Sequence, residues 1–438
     1  MQPARSAETT PTALGGERTS SSVGFTDVTT LDAAQPARTS ESSVVDVPGR
    51  QPTVRIAVVI NAVTPYMRPL WERLAEHDGI ELLLVTETTM ERDRRWRVET
   101  DLPVGHVQLD SWTLDLAWMA VGSDYKTRFD SYLYVPRRPL APLREFAPDV
   151  VVAAGGGVWS SPSNIATLVG RRRHGWAIVP WWNTFTRARP SLPRRIAEPW
   201  VKRFMRSGDA WLAGGTRHAR DLVRMGADPD RTVVAPLTGV GPDPPLTRNG
   251  TRTPGLTRYL YVGRLIERKG IDVLLEAFGQ LASGELWLAG DGPLRGMVES
   301  AVERSPRLRF LGYADEGDLP DIYRQADVLV VPSLFEPWGL VVHEALAHGL
   351  PVIATDQVAA ADDLIDDGVN GFVVEAGSPE SLAVAMERMT EWSEPDWLRA
   401  SGWSSQTLAT CSIERAAEGF IRGCMLGHRH RSQHLTKG

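Results

Sequence analysis

The stretch DVLVVPSLFEPWGLVVHEALAHGLPVIAT, residues 327–355, decides the fold. A short β-branched run, DVLVV, leads into a turn holding Pro337 and Gly339; LVVHEALAH then runs at helical spacing and PVIAT is β-branched again. Strands of this composition, joined through a helix and bounded by turn residues, build a buried parallel βαβ unit. Pro337 suits a first helical turn but not a helix or strand interior, so the helix is expected near 340–348. A helix that begins where a strand ends offers unpaired N–H groups and a positive dipole end, which together favour an anion. Gly339 has no side chain to keep a ligand from the backbone. Glu336 precedes the helix and Glu344 lies inside it. Their carboxylates should therefore reach different parts of one ligand rather than share a proton as a hydrolase pair does.

The same alternation continues on both sides. YLYVGR, ELWLAG, LRFLG and GFVV read as further strands, with helices expected over 271–281, from 294, and around 319–325. Upstream, VRIAVVI, ELLLVTE, VVVAA, WAIVPWW and AWLAGG form a second series, separated from the first by the Pro- and Gly-dense residues 237–254. Strands alternating with helices in both halves predict an α/β protein with two doubly wound parallel-sheet, Rossmann-like domains facing across a cleft. The expected order is a disordered leader over 1–51, an acceptor-side domain over 52–240, a hinge over 241–254 and a ligand-binding domain over 255–390. Helices over 391–425 should pack back toward the first domain, and 426–438 should form a frayed tail whose histidines are too irregularly spaced to read as a metal site.

Bulk properties narrow the classes. The 438 residues are too many for one ordinary core, and 42% hydrophobic with 23% charged residues is a globular composition. A formal charge of −6 argues against general nucleic-acid binding. The two cysteines, Cys411 and Cys424, offer neither a disulfide framework nor a metal set. No apolar run reaches the roughly 18–20 residues of a membrane-spanning helix, and the first residues lack a secretory apolar core, so the expected location is the cytoplasm.

Two further turns support an anionic ligand. In YVGRLIERKG the strand stops at Gly263, and Arg264 and Lys269 flank the way into the next helix; cations there suit a diphosphate. AGDGP, with Gly290 and Gly292, ends the following strand at the same edge. AAGGGVW does not fit G-x-G-x-x-G and carries no acidic residue at the distance a dinucleotide fold needs. The four aspartates of DDLIDDG read as an exposed helix end. Residues 171–206 interleave Arg, Lys and His with Trp181, Trp182, Phe185, Trp200 and Phe204, a pattern suited to an anionic membrane face or to a solvated surface.

GRLIERKG, AGDGP, LGY with LPDIYRQADVLVVPS, EPWGLVVHEALAHGLPVIATD and GVNGFVV resemble, in order, the donor-binding domain of retaining glycosyltransferases of family 4, which have the GT-B fold. Glu336 and Glu344 match that family's Glu-x7-Glu signature. The resemblance implies a hexosyltransferase that takes a nucleotide diphosphate sugar as substrate and needs neither cofactor nor metal. Arg264 and Lys269 would neutralise the diphosphate, with Gly339 and Leu340 giving it backbone N–H groups. Glu344 would hold the ribose and Glu336 the donor sugar. Gly263, Gly290, Gly292, Tyr313 and Trp338 would complete the donor side. Pro65, Tyr66 and Asn183, at strand ends of the first domain, would face a glycan, lipid-linked or small-molecule hydroxyl acceptor, with peripheral membrane contact through 171–206 in the lipid case. Two departures stand out. VPWWNTF has Asn183 where many relatives have a histidine, leaving His218 as a spare candidate or a solvated helix residue. VAAADDLI has alanines where relatives often carry Gly-Gly. The alternatives are an epimerase or phosphorylase on the same fold, or a non-catalytic nucleotide-sugar-binding protein.

Overall fold

A computed structural model describes residues 53–88, 101–115, 132–154, 162–184, 199, 201–239, 256–315 and 317–435. The expected leader and hinge lie outside these residues. The first sheet contains β1 (Val54–Ile60), β2 (Ile80–Thr86), β3 (Gly105–Gln108), β6 (Val150–Ala154), β7 (Ala177–Trp182), β8 (Trp211–Ala213) and β9 (Thr232–Val234). Its order is β3-β2-β1-β6-β7-β8-β9 and every pairing is parallel. Strands β4 (Ser111–Asp115) and β5 (Tyr132–Pro136) form a separate antiparallel ribbon.

The second sheet holds β10 (Arg258–Val262), β11 (Glu285–Ala289), β12 (Leu308–Gly312), β13 (Val328–Val331), β14 (Val352–Thr355) and β15 (Gly371–Val374), in the order β12-β11-β10-β13-β14-β15, again all parallel. In each sheet the strand order reverses once, between β1 and β6 and between β10 and β13. Ligands of open α/β sheets bind in the crevice beyond the strand ends at such a reversal. β1, β6, β7, β10, β11, β13 and β14 read as apolar runs because both faces are covered, and their central residues are buried, whereas the edge strand β12 is only partly covered.

The helices include α1 (Arg68–Ala75), α2 (Ala141–Phe146), α3 (Pro162–His174), α4 (Thr216–Met225), α5 (Ile271–Gln280), α6 (Arg295–Arg304), α7 (Leu319–Gln325), α8 (Leu340–Ala347), α9 (Ala361–Leu364), α10 (Pro379–Thr390), α11 (Glu394–Thr410) and α12 (Ile413–Leu435). Helix α11 packs on α8 in the second half, whereas α12 packs on α1 and on β6–β9 of the first, so the chain returns across the molecule at Cys411 and Ser412. Three glycines four residues apart let α12 lie close on the sheet. A Cβ at Gly419 would sit 2.4 Å from the Val234 carbonyl oxygen, at Gly423 2.5 Å from Leu212, and at Gly427 2.7 Å from Val179. Phe420, on the same face, meets Trp71 and Trp181 edge-on at 6.4 and 5.5 Å. Such aromatic pairs add about 1 kcal/mol each beyond burial, whereas a branched side chain at Gly423 would lever the helix off.

Two expectations change here. Residues 426–435 continue α12 rather than fray: Gly427 packs on Val179, Arg431 Nε donates to the Gly175 carbonyl at 3.1 Å, and His430 Nδ1 lies 3.3 Å from Asp209. Trp181 and Trp182 are buried in β7, Phe204 packs beside Met205, and Arg171 is paired with buried Asp209 at 2.6 Å, so the described aromatic residues of 171–206 belong to the core, whereas Arg172, Arg173, Arg203 and Arg206 are exposed. Phe185 and Trp200 lie outside the described residues. The spacing also gave no signal for β3–β5 and β9. β3 is exposed throughout and β9 has three residues, so neither shows the apolar run of a buried strand.

Candidate functional site

Three strand ends of the second sheet are tied side by side. Gly263 N–H donates to the Ala289 carbonyl at 3.0 Å and Gly290 N–H to the Gly312 carbonyl at 2.7 Å. A Cβ at Gly290 would lie 1.8 Å from the Gly263 carbonyl oxygen, so only glycine permits this approach. Leu265 N–H reaches Asp291 O at 2.9 Å, and a Cβ at Gly292 would lie 2.5 Å from Leu265 O, which seats AGDGP against the GRLIERKG turn. Tyr313 follows β12 and is 54% exposed, on the rim.

The turn after β10 also presses on the turn after β13. Leu334 N–H donates to the Arg268 carbonyl at 2.9 Å, and the Lys269 ammonium forms an ion pair with the Glu336 carboxylate, both side chains being largely buried. Burial alone would raise the Glu336 pKa, but the charges of Lys269, Arg268 and Arg264 outweigh it and hold the carboxyl below its ordinary range. Burial draws Lys269 down while Glu336 opposes. Tyr261, beneath this pair, has its phenol raised well above 10 by burial and by the Glu336 charge, and its hydroxyl donates to the Arg264 carbonyl at 2.7 Å. The Glu336 backbone is fixed as well: its N–H donates to Gln357 O at 2.9 Å and its carbonyl accepts from Ala359 at 3.1 Å. Ala359 and Ala360, the alanines noted in place of Gly-Gly, are buried and serve this purpose, Ala360 N–H reaching the Trp338 carbonyl at 3.0 Å.

Helix α8 starts at Leu340, where the spacing predicted it. Pro337 stays in the loop, and Gly339 is the N-cap with φ 104°, a left-handed conformation that excludes most side chains. Glu344, one turn in, accepts from the Tyr323 hydroxyl at 2.7 Å. His348 stacks on Tyr323 at 5.1 Å and its Nδ1–H donates to the Glu344 carbonyl at 2.8 Å. Glu336 and Glu344 are thus braced by different partners, Lys269 and Tyr323.

The residues expected at the acceptor side lie at the carboxyl edge of the first sheet. Pro65 and Tyr66 form a single 3₁₀ turn after β1. Asn183 follows β7, beside Gly214: a Cβ there would lie 2.7 Å from the Asn183 Oδ1 atom. The two halves approach at Gly239, where an added Cβ would lie 3.1 Å from Leu340 Cδ2 and 3.4 Å from Tyr66 Cβ.

A second seam lies at the start of α4. Trp338, expected on the donor side, is buried here, and a Cβ at Gly215 would lie 2.4 Å from its ring. His218 is not a solvated helix residue. It is fully buried, its ring lies 5.8 Å from that of Trp338, and its Nε2–H donates to the Pro337 carbonyl at 2.8 Å. Burial holds His218 neutral, down to about 4, with the Pro337 contact opposing. Asp362 and Asp363 are likewise not a free helix end. Asp362 pairs with Arg217 and Arg220, Asp363 accepts from Thr216 N–H at 3.0 Å and from its hydroxyl, and Arg217 Nη1 donates to the Asp356 carbonyl at 2.6 Å. Among the described residues no group of three or more His, Cys, Asp or Glu side chains could hold a metal.

Sequence reasoning missed Tyr261, Arg268, Tyr323, His348 and the α4 seam. The LPDIYRQAD motif contained Tyr323, but its partner lies 21 residues on. Nothing local announces that His218 reaches residue 337.

Comparison with known proteins fits this geometry. Residues 257–391, which contain the turns after β10, β11 and β13, match the family described as Glycosyl transferases group 1. The chain is 32% identical over 250 residues to the D-inositol 3-phosphate glycosyltransferase of Rhodococcus opacus, covering 52% of this chain and 55% of that one. It is 31% identical over 190 residues to the lipopolysaccharide core biosynthesis glycosyltransferase LpsE of Rhizobium meliloti, covering 42% and 55%. The chain spans 37% to 56% of the length of these and other curated relatives. In structure it is similar to HepE of Anabaena in complex with UDP, with a TM-score of 0.61 at 15% identity over 84% of this chain and 98% of the other. The chain therefore has the GT-B fold, and its residues 257–391 form a group 1 glycosyltransferase domain.

Proposed function

We propose that the protein transfers a hexosyl unit from a nucleoside diphosphate sugar to a hydroxyl acceptor, with retention of configuration and without a resident metal. The observation that carries this reading is the Lys269–Glu336 pair at the β10/β13 reversal, beside the start of α8. An ammonium and a carboxylate in contact suit adjoining parts of one ligand, the diphosphate and the sugar bonded to it.

Arg264, Lys269 and the first N–H groups of α8 neutralise the diphosphate and stabilise it as it leaves. Glu336, held ionised, binds sugar hydroxyls and supports the positive charge that develops at the anomeric carbon. The bond from that carbon to the phosphate oxygen breaks as the bond to the acceptor oxygen forms on the same face. The acceptor proton passes to the departing phosphate, so no side-chain base is required. Glu344 holds the ribose. Pro65, Tyr66 and Asn183 line the acceptor side, where closure excludes competing water. For a lipid-linked acceptor, the outer face of α3 would meet anionic lipid, because exposed Ile165 and Val169 lie there near Arg172 and Arg173.

The first test is a thermal-shift panel of uridine, guanosine, adenosine and thymidine diphosphates and their sugars, beginning with UDP because HepE was solved with it. One base series should raise Tm, by linkage of native-state binding to stability. No shift with any member would remove the donor assignment. Sugar release or isomerisation without an acceptor would favour a phosphorylase or epimerase. Binding without turnover across an acceptor panel would favour a sensor.

A further inference from the structure

His218 belongs to α4 of the first half, yet it touches the middle of the Glu336-Pro337-Trp338-Gly339 loop of the second. The Pro337 carbonyl can only accept, so the 2.8 Å contact assigns the proton to His218 Nε2. That carbonyl belongs to the residue directly after Glu336, and proline's fixed φ makes the peptide a stiff lever. The contact is built in from several sides. The imidazole is fully buried, Trp338 packs on it, Gly215 makes room for the indole, and Thr216 and Arg217 anchor the same helix start to Asp363, Asp362 and the Asp356 carbonyl.

We propose that His218 is a positioning residue: it fixes the Glu336 carboxylate from the opposite half of the molecule, so that Glu336 is correctly aimed only while the two halves are engaged. Chemistry is thereby coupled to engagement, and a donor bound to the second half alone would meet a loosely held Glu336. The proposal rests on the glycosyl-transfer reading for its kinetic consequence but not for its structural one.

The test uses the full chain with His218→Ala and His218→Gln, the latter because its amide N–H can replace the imidazole donor. The first readout needs no activity. Hydrogen exchange at 334–342 in ligand-free protein should quicken about tenfold in His218→Ala, the effect of losing one buried hydrogen bond, and return toward wild type in His218→Gln. The second readout is kinetic. His218→Ala should lower kcat by about tenfold or more while the Kd for the nucleoside diphosphate stays within about threefold, with kcat recovering in His218→Gln. Unchanged exchange at 334–342 in His218→Ala would overturn the proposal. So would equal loss of kcat and nucleotide affinity without rescue by glutamine. If wild type binds the nucleotide but turns over no sugar, the functional reading fails while the exchange result still decides the role of His218.

Discussion

The two sheets reverse strand order in the same way but furnish their reversal points differently. Beyond β10 and β13 the turns carry Arg264, Arg268, Lys269 and Glu336, locked by an ion pair and by backbone bonds to neighbouring turns. Beyond β1 and β7 the residues expected at the acceptor side are Pro65, Tyr66 and Asn183, none of them charged. On the proposed reading the contrast follows from the ligands. A diphosphate requires fixed cations and backbone N–H groups whatever sugar it carries, whereas a hydroxyl acceptor requires shape and a few hydrogen bonds. On that reading one architecture supports a standard donor half and an adaptable acceptor half.

That contrast can be broken by substitution. The largest effect is expected for Lys269→Ala, which leaves Glu336 charged, buried and without its ammonium. Stability should fall by roughly 3–5 kcal/mol, read by urea unfolding, and nucleoside diphosphate affinity should fall with it. Next is acid sensitivity at the contacts between the halves. Burial holds His218, which also faces Arg217 and Asp362, and His343, which contacts Thr238 and the Cys411 carbonyl, at about 4. Between pH 6.5 and 4 the unfolded chain takes up protons that these folded histidines refuse. Their contribution is therefore complete above about 6.5 and declines by roughly 3 kcal/mol each as pH falls toward 4, measurable as a drop in urea midpoint. His218→Gln should flatten part of that limb.

Smaller effects separate the halves more finely. Tyr323→Phe removes the hydroxyl that orients Glu344 and should weaken nucleotide binding by about fivefold, near 1 kcal/mol, by calorimetry. Asn183→Ala should leave nucleotide Kd within about twofold and raise the acceptor KM, since it removes a hydrogen-bonding group on the acceptor side only. Loss of nucleotide affinity in Asn183→Ala would erase the division of labour.

The second half was legible because its motifs are local. Strand, turn and helix follow one another within residues 327–355, and the cations of GRLIERKG lie five residues apart, so spacing alone placed Glu336, Glu344, Arg264 and Lys269 on one edge. Contacts that depend on tertiary approach were not legible. His218 and Pro337 are separated by 119 residues, Thr216 and Asp363 by 147, and Asp209 meets His430 across 221. Charges read as solvated, at Asp362, Asp363 and Arg171, turned out to be paired because a distant element covers them. Trp181 and Trp182 followed the same rule: beside a run of arginines they suggested a surface, but their place in a strand covered by α12 makes them core. Local sequence signals what a residue can do, and burial by a remote partner decides what it does.

The central claim, that Glu336 acts on the sugar while the cations around it hold the diphosphate, is tested most directly by comparing wild type with Glu336→Gln at saturating nucleotide sugar. The measurement is acceptor-dependent release of nucleoside diphosphate. The account predicts a fall of about 10²–10³-fold in kcat, as for removal of one preorganised electrostatic group, with nucleoside diphosphate Kd within about threefold. Undiminished release by Glu336→Gln would contradict it.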